Sequence, residues 1–238
     1  MFESIPALAD IHWAAVLQIV VIDILLGGDN AVVIALACRN LTPHHRWQGI
    51  LWGSVGAIVL RVALVAGAVS LLDLPGLKLV GALLLLYIGV KLTLPEEGDH
   101  DVDGAKHVLG AIRTIILADL VMSIDNVIAI AGAAEQAGAE HRLQYVIFGL
   151  LVSIPFIVFG SQVILKLIDR FPVIVWAGAG LLGFIAGRLL LDDPLAHGVI
   201  GHPTPALDYG AGAAAAVAVM LLGRIIGARM AAAPPGQA

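Results

Sequence analysis

The chain has 238 residues, of which 60% are hydrophobic and only 13% charged. Soluble domains carry about 25% charged residues, and a mean hydropathy of +0.97 implies more apolar surface than one water-soluble core of this size can hide. The net charge of −5 sits mostly in loops and ends, and no basic block interleaved with aromatics points to nucleic acid; the solvent this sequence expects is a lipid bilayer.

The N-terminal stretch MFESIPALADIHW has no positively charged region. The first apolar segment is therefore expected to stay in the protein rather than be cleaved as a signal peptide. A membrane-spanning helix needs roughly 20 mainly apolar residues. Seven segments qualify or come close: 13–37, 48–71, 77–94, 109–134, 143–166, 172–191 and 209–227, with the third and sixth on the short side. Thr42-Pro43 follows the first segment and Leu74-Pro75-Gly76 the second, both turn signals. The expected architecture is all-α, one transmembrane domain over 1–238.

The longer connections carry charge. Residues 95–108 hold Glu96, Glu97, Asp99, His100, Asp101, Asp103 and His107. They read as a solvated linker, with a weak cation-collecting site as the alternative; the glycine and terminal glutamate of an EF-hand are not in place. Residues 192–208 hold Asp192, Asp193, His197, His202 and Asp208 and read as a surface loop. His44, His45 and His141 precede arginines at segment ends and read as interfacial anchors. The single cysteine, Cys38, excludes an intramolecular disulfide and any multi-cysteine metal site.

Lys and Arg in short loops mark the cytoplasmic side. With seven spans, Arg39, Arg46, Lys91, Lys106, Arg113, Lys166, Arg170, Arg224 and Arg229 share one side, against Lys78, Arg142 and Arg188 on the other. That bias places the N-terminus outside and the C-terminus in the cytoplasm.

Shifted by 96 positions, the sequence matches itself without gaps. Asp23 meets Asp119, Asp29 meets Asp125, and Asn30 meets Asn126. His45-Arg46 meets His141-Arg142, Gln48 meets Gln144, Gly53 meets Gly149, and Asp73 meets Asp169. The copies run over 11–94 and 107–190, three segments each, with 209–227 left over. Three is odd, so the second copy enters the membrane from the opposite side. This is an inverted-topology repeat, the architecture of many secondary transporters.

Each copy carries D-x5-D-N in its first segment, its Asp-Asn end lying in GGDNAVVIALA and in SIDNVIAIAGAA. Insertion scales put an aspartate at mid-membrane at about 2.5–3.5 kcal/mol, so four unpaired ones would cost on the order of 10 kcal/mol. Such residues face a bundle interior or a wet cavity. Asp23 and Asp119 lie about ten residues into their segments, roughly 15 Å deep. Asp29 would point about 120° away from Asp23 on a regular helix. Gly27-Gly28 weakens the helix at that point, and a local break would turn Asp29 inward and free carbonyls as ligands. Ser123-Ile124 stands there in the second copy, so any break should be milder. Carboxylate and amide oxygens without sulfur suit a hard divalent cation such as Mg, Ca or Mn. The candidate metal-binding residues are Asp23, Asp29, Asn30, Asp119, Asp125 and Asn126.

These paired Asp-Asn motifs resemble those of the TerC family of integral membrane proteins, and its short, seven-helix, YjbE-like branch, over about residues 13–227. The resemblance implies manganese export, or supply of manganese to proteins outside the cytoplasm, with Mn2+ as transported substrate and the same six residues as its acidic and amide positions. It also implies a multi-pass protein of the plasma or inner membrane. Proton antiport is the coupling to expect, since a mid-membrane carboxylate that loses its cation tends to take up a proton.

Two other readings compete. An intramembrane aspartyl protease also uses two aspartates on membrane helices, but Leu26, not glycine, lies three before Asp29. A membrane protein with a structural metal, involved in tellurite or metal stress, is the other. Arg61 lies about a dozen residues into the second segment, and Ile157 stands at the matching place; it either pairs with an aspartate or snorkels along its helix. Gly53, Gly56, Gly149, Gly178 and Gly183 fit close helix contact. The metal, the coupling ion and whether the chain forms a homodimer stay open at this level.

Overall fold

A computed structural model describes residues 13–71, 74–94, 104–135, 142–201 and 203–232. Among them the only regular elements are α-helices. In chain order these are α1 (Trp13–Leu26), α2 (Gly28–Cys38), α3 (Pro43–Leu71), α4 (Leu77–Lys91), α5 (Gly104–Glu135), α6 (Arg142–Arg170), α7 (Val173–Leu191), α8 (Pro194–Ile200) and α9 (Pro205–Ala232).

Five of these are long and apolar enough to cross a membrane: within α3, α5, α6, α7 and α9. A sixth span arises if α1 and α2, whose axes meet at 53°, count as one broken rod. The expected third span ends early. α4 has 15 residues, about 22 Å of helix against a hydrocarbon core of about 30 Å. All the others but α7, which matches its predicted segment to within a residue, run past their predicted bounds, because polar interfacial residues continue the backbone hydrogen bonding that hydropathy alone does not register.

Along the spans large apolar side chains face outward while the charges at mid-helix face inward. Leu25, Phe159 and Val173 are 75%, 70% and 69% exposed, while Asp23 and Arg61 are 1% and 2% exposed. That inversion suits a lipid solvent, in which a charge must find its partner inside the protein. Small residues let the helices approach closely enough to provide one. A Cβ at Gly53 would lie 2.5 Å from Ile115, at Gly149 2.6 Å from Ile19, at Gly178 2.7 Å from Leu36, and at Gly183 2.8 Å from the Ala215 carbonyl. Glycines read as packing positions thus sit at helix crossings.

α1 and α2 pack on α5 and α6, α3 packs on α5 and α6, and α4 packs on α7. One apolar cluster joins Val16, Ile19, Ile58, Ile130, Val146 and Leu150. Another joins Ile34, Leu36, Ile50, Ala111, Ile115 and Val158. α9 lies against α7 and α4.

The stretch 192–208 departs from the expected surface loop. It holds α8, and Asp193 is fully buried. The Asp193 Oδ1 accepts from the Leu195 and Gly76 amides, both at 2.9 Å, and Oδ2 from the Leu79 amide at 3.0 Å. One carboxylate therefore caps α8 and the start of α4 together, satisfying amide groups that a helix leaves unpaired at its N-terminus. Asp-Pro at 193–194 is a helix-start signal; the sharing with α4 is tertiary and invisible locally. Gly76 enters α4 at φ 90°, a left-handed turn that favours glycine. At the far end of the same stretch, Arg188 Nε donates to Asp208 Oδ2 at 2.7 Å, and its guanidinium lies 5.2 Å from the Tyr209 ring centre.

Candidate substrate site at the centre of the bundle

The Gly27-Gly28 pair does what its composition predicts. α1 ends at Leu26, Gly27 leaves the helical region at φ −98° and ψ 3°, and α2 restarts at Gly28. A Cβ at Gly27 would collide with the Asp23 carbonyl oxygen, so only glycine fits this break. The carbonyls at the break are not all free, because Gly27 accepts from the Ala31 amide at 3.2 Å. In α5 the helix runs through Ser123-Ile124 without interruption.

The break brings Asp29 into the first turn of α2, where its Oδ1 accepts from the Asn30 amide at 2.9 Å. Carboxylates are favoured there by the partial positive charge of a helix start. Asp29 is half-buried. Asn30 is buried at 4% exposure, and neither its Nδ2 nor its Oδ1 has a hydrogen-bond partner. An orphaned amide inside a bundle is costly and normally marks a ligand, a water or a function. Beside it lies a void of about 10 Å3 bounded by Asn30, Val33, Ile34, Ile115 and Asp119, with apolar atoms on its surface.

Asp23 and Asp119, 96 residues apart in sequence, meet at Arg61. The guanidinium donates from Nη1 to Asp23, from Nη2 to Asp119, and from Nε to Ser123 Oγ at 3.0 Å. Ser123 in turn donates to the second oxygen of Asp119 at 3.0 Å. The second oxygen of Asp23 accepts from Ser153. The open question about Arg61 is thereby resolved in favour of pairing, with two aspartates rather than one. Ser123 replaces Gly27 at the matching position, and Ser153 replaces Ala57, so each aspartate has acquired its serine from a different helix. Ser153 is the residue that sequence reading missed; an isolated serine in an apolar helix gives no signal of its own.

The other two candidates sit further along α5. Asn126 is half-buried, and the side chain of Asp125 lies outside the described residues. Among the described residues, no three His, Cys, Asp or Glu side chains are grouped to hold a metal ion; the Asp23–Asp119 pair holds an internal cation instead. Toward one end of the bundle, a cavity of about 520 Å3 is lined by Arg39, Lys91, Lys106 and His107 among others. His107 therefore belongs to α5 and a basic cavity wall, and the acidic residues from Glu96 to Asp103 lie outside the described residues.

A buried, serine-braced carboxylate pair inside an apolar helical bundle defines an integral membrane protein organised around a central charged site. The profile of the family described as "Integral membrane protein TerC family" matches residues 8–231, and the chain belongs to that family. It is similar to the membrane protein YjbE of Bacillus subtilis, 41% identical over 75% of this chain and 80% of that one. It is also similar to the Bacillus subtilis membrane protein YceF, 26% identical over 75% of this chain and 71% of that one. The Escherichia coli K12 inner membrane protein YgdQ is 24% identical over 76% of this chain and 81% of its own length. No solved structure matches.

Proposed function

We propose that this protein is a transporter, not an enzyme, and that it exports a divalent metal cation across the plasma or inner membrane. Mn2+ is the first substrate to test, on the strength of the TerC resemblance; the ligands themselves ask only for a hard divalent ion. The path runs past Asp23, Asp29 and Asn30 from one repeat and Asp119, Asp125 and Asn126 from the other. Seven spans, including the short α4 and the broken α1–α2 rod, place the N-terminus outside and the C-terminus in the cytoplasm.

The observation that carries this reading is the meeting of Asp23 and Asp119, repeat-related aspartates, in one buried site beside the orphaned amide of Asn30. The packing agrees with two inverted copies: α1–α2 on α6 corresponds to α5 on α3, and α4 meets α7. Asp23 and Asp119 are 1% and 4% exposed, with apolar clusters on either side along the helices, as in an occluded step of alternating access. A protease dyad shares one proton between its carboxylates; here the pair shares a guanidinium, which favours a cation site.

The test is Mn2+ uptake into inside-out proteoliposomes by the wild type, Asp29→Asn and Asp125→Asn, with and without a pH gradient. Uptake by the wild type and its loss in both variants is expected, and acceleration by a vesicle interior more acidic than the medium identifies protons as the exchanged ion. A folded wild type that moves neither Mn2+ nor any other divalent cation overturns the reading.

A further inference from the structure

Arg61 has no counterpart in the second copy, where Ile157 occupies the matching position. It is nonetheless the residue on which both copies converge. Its fork donates to Asp23, Asp119 and Ser123 at 2% exposure. A planar guanidinium is an effective partner for two carboxylates because its donors point in fixed, divergent directions. The same carboxylate oxygens are what an incoming hard cation would need.

Guanidinium and divalent cation cannot both sit in contact with this pair. In a low-dielectric interior their mutual repulsion is large, and each carboxylate's second oxygen is already engaged, on Ser153 for Asp23 and on Ser123 for Asp119. Asn30 borders the same small void as Asp119, and its Oδ1 is buried without a donor; an ion held by Asp119 would find that oxygen as a further ligand. The amide therefore lacks a partner in just the state in which Arg61 holds the aspartates.

We propose that Arg61 is a tethered competitor of the transported cation. Its guanidinium fills the Asp23–Asp119 site when no ion is bound, and a divalent ion enters beside Asn30 by displacing it. This rests on the cation-transport reading above and adds a specificity determinant to it. A monovalent ion brings no more charge than the tethered guanidinium already supplies, and the tether gives the arginine a high effective concentration. A doubly charged ion brings more, so Arg61 sets a charge threshold that Na+ and K+ fail. It also keeps binding weak enough to reverse, because apparent affinity falls with the fraction of molecules whose arginine has withdrawn.

The test is equilibrium binding of Mn2+ to the full-length protein in detergent, with Na+ as competitor, for the wild type, Arg61→Gln and Arg61→Lys. Arg61→Gln is expected to bind Mn2+ about ten-fold tighter or more, as for a site freed from occupancy in nine molecules of ten, and to become sensitive to Na+ while the wild type is not. Arg61→Lys keeps the charge and loses the fork, so it falls between the two and serves if the Gln variant does not fold. If either folded variant binds Mn2+ no more tightly than a wild type that transports it, the competitor role is overturned and the transport reading stands. If neither the wild type nor the variants bind or move a divalent cation, both fall.

Discussion

The same D-x5-D-N pattern is handled differently in the two halves of the molecule. Around Asp23 the chain breaks at Gly27 and restarts, leaving Asp29 at a helix start and Asn30 without partners. Around Asp119 it stays helical, and Ser123 braces the aspartate from one turn away. Two substitutions, Gly27 for Ser123 and Gly28 for Ile124, separate the two outcomes at the centre. The first half presents an interrupted helix and the second a continuous, serine-braced one. On the transport reading the central site joins one wall of each kind.

The largest effect is expected from removing what the halves share. Arg61→Leu leaves two buried carboxylates without their cation, and losing one partner of such a network costs about 3–5 kcal/mol. Thermal unfolding in detergent checks this, and added Mn2+ should recover part of the loss. The braces come next. Ser123→Ala removes hydrogen bonds to both Asp119 and Arg61, worth about 1.5–3 kcal/mol for charged partners. Ser153→Ala should cost less, because Ser153 touches Asp23 alone among the charged groups and also lies within donating reach of the Leu150 carbonyl. Equal losses in the two unfolding curves would contradict the assignment of Ser123 as the firmer brace.

Exchanging the central dipeptides sharpens the contrast further. Gly27→Ser with Gly28→Ile gives the first half the second half's sequence. It should favour a continuous first helix, since each interior glycine costs about 0.5–1 kcal/mol, and abolish Mn2+ uptake while leaving the protein folded. Uptake at the wild-type rate would mean that the break is not needed for transport. The smallest effect on transport is expected at Asp193→Asn, which keeps one oxygen for the Gly76 and Leu195 amides but loses the charge and the acceptor for Leu79, a cost to stability of about 1–3 kcal/mol. Burial alone would raise the Asp193 carboxyl, but the amide groups of Leu195, Leu79 and Gly76 outweigh it and hold it below the ordinary carboxylate range. Its stabilisation is therefore present above about pH 4, the unfolded value, and is lost as pH falls through the lower folded value. The Asn variant should lose that acid-side dependence and transport normally.

The helical segments, the break at Gly27 and the inward placing of Asp23 and Asp119 were legible in the sequence because each rests on a local rule: hydropathy, glycine's freedom, and the cost of charge in lipid. The length of α4 was not, since Leu92 and Leu94 continue the apolar run after hydrogen bonding has turned. Arg61 could be found as an anomaly, but its partners could not, because they come from helices far apart in the chain. Asp193 was misread for the opposite reason. A short acidic, proline-containing stretch looks solvated, and only the docking of α4 against it makes its carboxylate a buried cap.

That cap has a mechanical consequence. Asp193 fastens the start of α4 to the corner after α7, and Arg188 fastens the end of α7 to the start of α9 through Asp208. α4 and α7 are the third helices of opposite copies. The three helices thus form one riveted frame that straddles both halves, and the frame carries no member of the charged centre. On the transport reading the elements left to move are α1, α2, α3, α5 and α6, which are joined to each other by apolar contact, by the bonds of Arg61 and Ser153 to the central aspartates, and by the Arg46–Asp169 pair between α3 and α6.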